Sequence, residues 1–256
     1  MSAPHGIQGK HALVTGGSRG IGRSIAAALA GAGATVTILG RDQGALDRAV
    51  REGAAHAALV ADVTDGVALQ AVIARAAGRT GSFDLLVANA GQAVSAPVAK
   101  SDEALFARMI DVNLMGVVHA ARAVLGPMQD RGFGRIVAVA STAGLKGYPY
   151  VTAYCAAKHA VIGFVRALAA ETAATGVTVN AVCPGYTDTD LVADSLDRIV
   201  AKTGRSRDEA LAELVKHNPQ GRLIKPQEVA DAVLWLCGSG ARSVTGQAIA
   251  VAGGEV

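Results

Sequence analysis

Tyr154 and Lys158 stand four positions apart in Tyr154-Cys155-Ala156-Ala157-Lys158, at the start of a long Ala-rich stretch that reads as a helix. Residues at i and i+4 share one helical face, so the phenol and the ammonium can occupy one site. A neighbouring cation favours the phenolate and draws a tyrosine pKa from about 10 towards neutrality, where the phenol can give or take a proton. Taken alone the pair is a weak signal, because solvated helix faces carry many like it.

A second chemical signal lies near the N-terminus, in Thr15-Gly16-Gly17-Ser18-Arg19-Gly20-Ile21-Gly22. An apolar run leads straight into it and a helical stretch leads out. Glycines there permit a tight turn, close approach of the backbone to a pyrophosphate, and close helix–strand packing. The amide groups at the helix start, with the positive end of its dipole, then face the phosphates. The spacing is Gly-x-x-x-Gly-x-Gly, and its place at the first strand–helix junction is the context a nucleotide site requires. After the second apolar run come Gly40, Arg41 and Asp42. An arginine there suits a ribose 2′-phosphate through its planar fork, and Arg19 could reach the same group, so NADP(H) is favoured. Asp42, one position on, offers a carboxylate to a 2′-hydroxyl and keeps NAD(H) as the alternative.

These residues need a framework, and the hydrophobic pattern supplies one. Strands are expected at 11–15, 35–39, 57–61, 85–88, 135–140, 178–183 and 248–251, mostly apolar without alternation, as in parallel strands covered on both faces. Helices are expected at 21–32, 45–51, 67–78, 105–131, 151–174 and 226–236. The alternation predicts an α/β fold, a Rossmann-type doubly wound parallel sheet in one domain spanning 1–256. About forty residues separate the strand ending at Cys183 from the helix near Pro226, far more than an ordinary connection. Leu191, Val192, Leu196, Ile199 and Val200, then Leu211, Leu214 and Val215, suit two short amphipathic helices, and Ser206 with Glu209 forms a capping box. A helical lid over 187–225 is the expectation.

Composition narrows the classes. The 256 residues are 51% hydrophobic and 18% charged, which excludes a disordered chain, and 3 cysteines exclude a disulfide scaffold. A formal charge of +3, spread along the chain, gives no reason to expect nucleic acid or an anionic membrane as a partner. The uncharged stretch 24–40 is slightly short for a bilayer and is broken by Gly31 and Gly33. Residues 1–17 lack the pattern of a signal peptide, and no Cys/His spacing suggests a metal. The cytoplasm, with Cys155, Cys183 and Cys237 reduced, is the default expectation.

The set as a whole resembles the short-chain dehydrogenase/reductase family. Besides the glycine turn and the Tyr–Lys pair, the chain has Asp62-Val63 after the third strand and Asn89-Ala90-Gly91 after the fourth. It also has Asn113 in the fourth helix, Ser141 after the fifth strand and Pro184-Gly185 after the sixth, in the family's order over residues 8–253. The resemblance implies a seven-stranded parallel sheet, a homotetramer, and hydride transfer between a nicotinamide cofactor and a small carbonyl or alcohol. By position it implies Tyr154 as acid/base, Lys158 lowering its pKa and holding the nicotinamide ribose, Ser141 on the substrate oxygen, and Asn113 holding a relay water. Asp62 and Val63 would meet adenine, and Asn89, with Ala90 and Gly91, would position the cofactor. Thr187, after Pro184 and Gly185, would meet the nicotinamide amide or phosphate. Gly16, Ser18, Arg19, Gly20, Ile21 and Gly22 would hold the pyrophosphate. Ala88, where many relatives carry a second Asn, and the ending Gly253-Gly254-Glu255-Val256 depart from the family without touching this chemistry.

The substrate is less sharply drawn. Basic residues in and near the lid, Arg198, Lys202, Arg205, Arg207, Lys216, Arg222 and Lys225, could meet the phosphates of a coenzyme A or carrier-protein thioester, or simply be solvated. Gln92 and Lys146 could anchor a small carboxylate, with Tyr148 beside them. The layout resembles relatives acting on 3-oxoacyl thioesters or 3-hydroxy acids, with a cyclic, polyketide or steroid-like ketone as the alternative. A non-catalytic NADP-binding sensor or scaffold is the reading from another class.

Overall fold

A computed structural model describes residues 6–256; residues 1–5, part of the stretch read above for a signal peptide, lie outside the described ones. The strands are β1 (His11–Thr15), β2 (Thr35–Gly40), β3 (Ala57–Val60), β4 (Leu85–Ala88), β5 (Gly134–Val139), β6 (Val177–Pro184) and β7 (Ala248–Val251). All pair in parallel in the order β3-β2-β1-β4-β5-β6-β7. The predicted seven-stranded sheet is therefore present, with no strand boundary moved by more than one residue.

The helices are α1 (Gly20–Gly31), α2 (Gln43–Arg51), α3 (Gly66–Thr80), α4 (Glu103–Ile110), α5 (Gly116–Asp130), α6 (Thr152–Thr172), α7 (Asp190–Thr203), α8 (Arg207–Val215) and α9 (Pro226–Cys237). Two cores show that both faces of the sheet are covered. Ile25 and Leu29 of α1 and Val229, Val233 and Leu236 of α9 pack with Val14, Val36 and Val87. Leu69 and Ile73 of α3, Val117 and Val124 of α5, and Val161 and Val165 of α6 pack with Leu13, Leu86 and Ile136. Alternate residues of β1 and β4 thus enter opposite cores, which is why these strands are apolar throughout.

The chain runs outward from β1 through β2 to β3, then crosses back so that β4 lies on the other side of β1. This reversal opens a crevice beyond the carboxyl ends of β1 and β4, the place where doubly wound sheets take ligands. The glycine turn and the Asn89 loop both leave the sheet there.

One expected helix is not a uniform helix. Residues 105–131 contain a π turn at Asp111–Met115 between α4 and α5. The wider turn re-aims Asn113, which is fully buried. The composite helix Glu103–Asp130 is long and apolar enough to cross a membrane by composition. Its residues Val117, Ala120, Ala121 and Val124 nonetheless belong to the core against the sheet.

The segment after β6 forms two helices, as expected. Val192, Leu196, Val200, Ala210, Leu211 and Leu214 make a small core of their own with Tyr186 and Leu223; the side chains of Leu191 and Ile199 lie outside the described ones. The capping box starts α8, with Ser206 Oγ accepting from Glu209 N at 3.2 Å and Glu209 Oε2 accepting from Ser206 N at 2.8 Å.

Candidate active site

The glycine turn is held to the neighbouring strand by hydrogen bonds. Asn89 donates Nδ2–H to the carbonyls of Thr15 at 3.0 Å and Gly16 at 3.1 Å. Thr15 Oγ1 in turn accepts from the amides of Asn89 at 3.0 Å and Ala90 at 3.1 Å. Thr15 is thus a site residue that the motif did not single out, although its place at the strand end could have suggested it.

Glycine is required at two positions here. Gly16 has φ +65°, and a Cβ on Gly22 would lie 2.2 Å from the Gly16 carbonyl oxygen and 2.4 Å from Asn89 Nδ2. The turn therefore closes against its own helix, and α1 starts at Gly20 directly behind it. A half-exposed backbone turn at a helix start, with glycine at 16, 17, 20 and 22, fits a pyrophosphate.

At the end of β2, Arg41 and Asp42 separate in role. Asp42 caps α2, its carboxylate accepting from Ala45 N at 3.0 Å. Arg41 remains mostly exposed and lies 3.6 Å from Asp62 across the crevice rim. The Asp62 carboxyl is held below its ordinary pKa, chiefly by the Thr64 amide at 2.9 Å, with the Thr64 hydroxyl and Arg41 adding to this. Asp62 therefore shapes its own turn. Val63 is buried against α5; its carbonyl meets His119 Nδ1 at 2.9 Å, and a Cβ on Gly116 would lie 2.7 Å from its Cγ2.

The proton-transfer candidates converge from three elements. Ser141 follows β5 and caps the short 3-10 turn Thr142–Gly144, its Oγ accepting from Ala143 N at 3.1 Å. That turn packs on α6 so closely that a Cβ on Gly144 would lie 2.7 Å from the Lys158 carbonyl oxygen. Tyr154 and Lys158 are on α6. A Cβ on Gly91 would fall 2.8 Å from Asn113 Oδ1 and 3.7 Å from Lys158 Nζ, which places the Asn89 loop, the π turn and the amine together. The Asn113 amide holds the loop in place: Oδ1 accepts from Gln92 N at 3.2 Å, and Nδ2 donates to the carbonyls of Gln92 at 2.9 Å and Met109 at 3.0 Å.

The electrostatics differ from the sequence expectation. Burial pushes the Tyr154 phenol up to about 12, and its hydrogen bond with Ser141 only partly draws it back. Burial also brings Lys158 down to about 8. Lys158 Nζ donates to the Val139 carbonyl at 2.9 Å and sits 5.7 Å from the centre of the Tyr154 ring. Burial dominates the phenol, and at neutral pH it keeps its proton.

Two further expectations are revised by the geometry. Gln92 and Lys146 do not stand ready for a carboxylate: Gln92 Oε1 accepts from Arg108 at 3.0 and 2.6 Å, and Lys146 Nζ lies 3.1 Å from Glu255 Oε1. Tyr148 donates to the same Glu255 oxygen at 2.6 Å and meets Thr142 Oγ1 at 2.8 Å. The ending therefore does reach the site wall, contrary to the expectation that it stays clear of the chemistry. Glu255 is 107 residues from Tyr148 in sequence, and no local motif announces such a contact. Thr187 is buried, with Oγ1 donating to the Gly185 carbonyl at 3.0 Å and its backbone bridging Ile224. Pro184 ends β6 beside it.

Residues 10–199 match the family model for short chain dehydrogenase. The chain belongs to the short-chain dehydrogenase family. This short-chain dehydrogenase is 38% identical over 249 residues to a putative ketoacyl reductase of Streptomyces coelicolor, covering 95% of each chain. It is 42% identical over 248 residues to a cis-4-hydroxycyclohexanecarboxylate dehydrogenase of Sinomonas cyclohexanicum, again covering 95% of each. Among solved structures it is similar to an actinorhodin polyketide ketoreductase variant crystallised with NADPH, with a TM-score of 0.92, 38% identity, and 96% and 97% of the two chains covered. The chain is an oxidoreductase with the Rossmann-like fold of these reductases.

Proposed function

We propose that this short-chain dehydrogenase interconverts a ketone and a secondary alcohol with NADP(H), using Tyr154 as the proton donor in reduction. The observation that carries this is the convergence of partly buried Tyr154 and buried Lys158 with Ser141, next to the Asn89 loop that holds the glycine turn, at the carboxyl edge of the sheet. The cofactor, when bound, supplies the hydride to the carbonyl carbon and takes it back in the reverse direction.

The chain's own residues do the rest. Ser141 and Tyr154 offer two hydroxyls to the carbonyl oxygen, where negative charge develops, so they favour the transition state over the bound ketone. Tyr154, protonated at neutral pH, gives its proton to that oxygen. Lys158, an ammonium below about pH 8, then stands within the same buried space to compensate the phenolate. Asn113 fixes the 89–92 loop against Lys158 and would hold a relay water as part of the catalytic set.

Gly16, Ser18, Arg19, Gly20, Ile21 and Gly22 would hold the pyrophosphate, and Asn89, Ala90 and Gly91 would flank the ribose. Pro184, Gly185 and Thr187 would face the nicotinamide. Asp62 and Val63 would border the adenine. Arg41 favours the 2′-phosphate, because Asp42 is committed to its helix cap. NADPH in the similar polyketide ketoreductase supports the same choice.

A 3-oxoacyl or 3-hydroxyacyl thioester, or a 3-hydroxy acid, is the leading substrate class, supported by the ketoacyl reductase relative. A cyclic ketone is the second reading, favoured by the cyclohexanecarboxylate relative. The intact Asn113, Ser141, Tyr154 and Lys158 set argues against a non-catalytic sensor. One domain with residues 187–225 as lid, assembled as a cytoplasmic homotetramer, completes the reading. Following NADPH oxidation with acetoacetyl-CoA, acetoacetate and a cyclic ketone tests it. Turnover of at least one supports the assignment; NADPH binding without turnover on a broad carbonyl panel overturns it.

A further inference from the structure

Glu255 carries a carboxylate whose side chain is only 2% exposed, on the segment that follows β7. Its Oε1 accepts from Tyr148 at 2.6 Å and lies 3.1 Å from Lys146 Nζ, while Lys146 also donates to the Glu255 backbone carbonyl at 3.2 Å. A Cβ on Gly185 would lie 3.2 Å from Oε2, so the carboxylate rests against the end of β6. A buried carboxylate held by one ammonium and one phenol is a built arrangement, since either charge alone would be costly there.

This cluster adjoins the reacting groups on two sides. Tyr148 Oη, donating to Glu255, receives the Thr142 hydroxyl at 2.8 Å, and Thr142 is the neighbour of Ser141. The Tyr148 ring meets Tyr186 edge-on at 6.3 Å. Tyr186 interacts electrostatically with both Tyr154 and Glu255, and it packs into the small core of the lid helices. Glu255, Tyr148 and Tyr186 therefore form a connected wall that links the lid core to the neighbourhood of Ser141 and Tyr154.

We propose that Glu255 is a specificity-determining residue which cancels the charge of Lys146, so that this wall receives an uncharged substituent of the ketone and disfavours a carboxylate. The proposal rests on the ketone reductase reading and sharpens it. Lys146 is paired with the carboxylate of this wall, and its side chain is about one-third exposed, so an added carboxylate could approach it. With Glu255 ionised, that carboxylate meets a Lys146–Glu255 pair with no net charge to attract it. Esters, thioesters and unsubstituted cyclic ketones pay no such penalty.

The test compares ethyl acetoacetate with acetoacetate, which share the 3-oxo group and differ in the charge at C1. The unaltered enzyme with NADPH should have the lower KM for the ester. E255Q keeps the size and an acceptor for Tyr148 but leaves Lys146 unpaired, and should lower the KM for acetoacetate relative to the ester by about fivefold or more. K146M leaves the carboxylate uncompensated and should shift the same ratio the other way. A structural role alone would move both variants in one direction. An unchanged ratio in both variants, or equal shifts of the same sign, overturns the assignment. Should E255Q not fold, the direction of the K146M shift decides. No turnover of either ketone by the unaltered enzyme contradicts the reductase reading itself, a result separable from any change in ratio.

Discussion

Lys158 Nζ donates to the Val139 carbonyl at 2.9 Å, so the amine one helical turn beyond Tyr154 is anchored to β5. The ammonium is held in a buried place, and the fold bears the cost. Its pKa falls from 10.5 to about 8, with desolvation as the cause. Between those two values the unfolded chain binds more protons than the folded one, so stability rises with pH across that window. Below about pH 8 the full penalty is present.

K158M is accordingly predicted to abolish turnover while stabilising the cofactor-free protein at pH 7. The relief is of order 2 kcal/mol, after about 1 kcal/mol is lost by leaving the Val139 carbonyl without its donor. Urea unfolding at pH 7 and pH 10 checks it. The gain should be large at the lower pH and small at the higher one; a K158M protein less stable at pH 7 contradicts the desolvation argument.

Arg41 and Asp42 are adjacent but should respond differently. R41A should weaken NADPH binding about tenfold or more and NADH binding far less if the guanidinium pairs with the 2′-phosphate as proposed. D42A should cost about 1 kcal/mol of stability through the lost helix cap and leave the NADPH-to-NADH ratio alone. Fluorescence titration with both cofactors, alongside thermal unfolding, separates the two. An equal loss for both cofactors in R41A removes the case for the phosphate.

Asn89 joins two loops by its amide. N89A removes the donor to the Thr15 and Gly16 carbonyls. About 1–3 kcal/mol of stability should be lost, and NADPH affinity should fall as the glycine turn loosens. Isothermal titration checks the affinity. Unaltered NADPH binding in a destabilised N89A protein would restrict Asn89 to a structural role.

The strands were legible because parallel strands buried on both faces are continuous apolar runs, as in Ala12-Leu13-Val14 and Leu85-Leu86-Val87. The glycine turn and the Tyr154–Lys158 pair were legible because backbone closure and helical spacing demand those residue types at those intervals. Four features were not. The π turn around Asn113 adds one residue to a helical turn without disturbing the apolar pattern on either side. The choice between Arg41 and Asp42 depends on which side chain the helix cap uses, a matter of geometry one position wide. The raised pKa of Tyr154 comes chiefly from burial, which the four-residue spacing to Lys158 does not report. Glu255 is the extreme case, since only the folded chain brings it to Tyr148.

The most direct measurement is single-turnover reduction by Y154F with NADPH, using a ketone that the unaltered enzyme accepts. The phenylalanine ring keeps the packing of α6 and removes only the hydroxyl that faces Ser141. Hydride transfer should slow by at least about a hundredfold, while the Kd for NADPH stays within about threefold of the unaltered enzyme. Transfer at a rate close to that of the unaltered enzyme would contradict the assignment of Tyr154 as the proton donor.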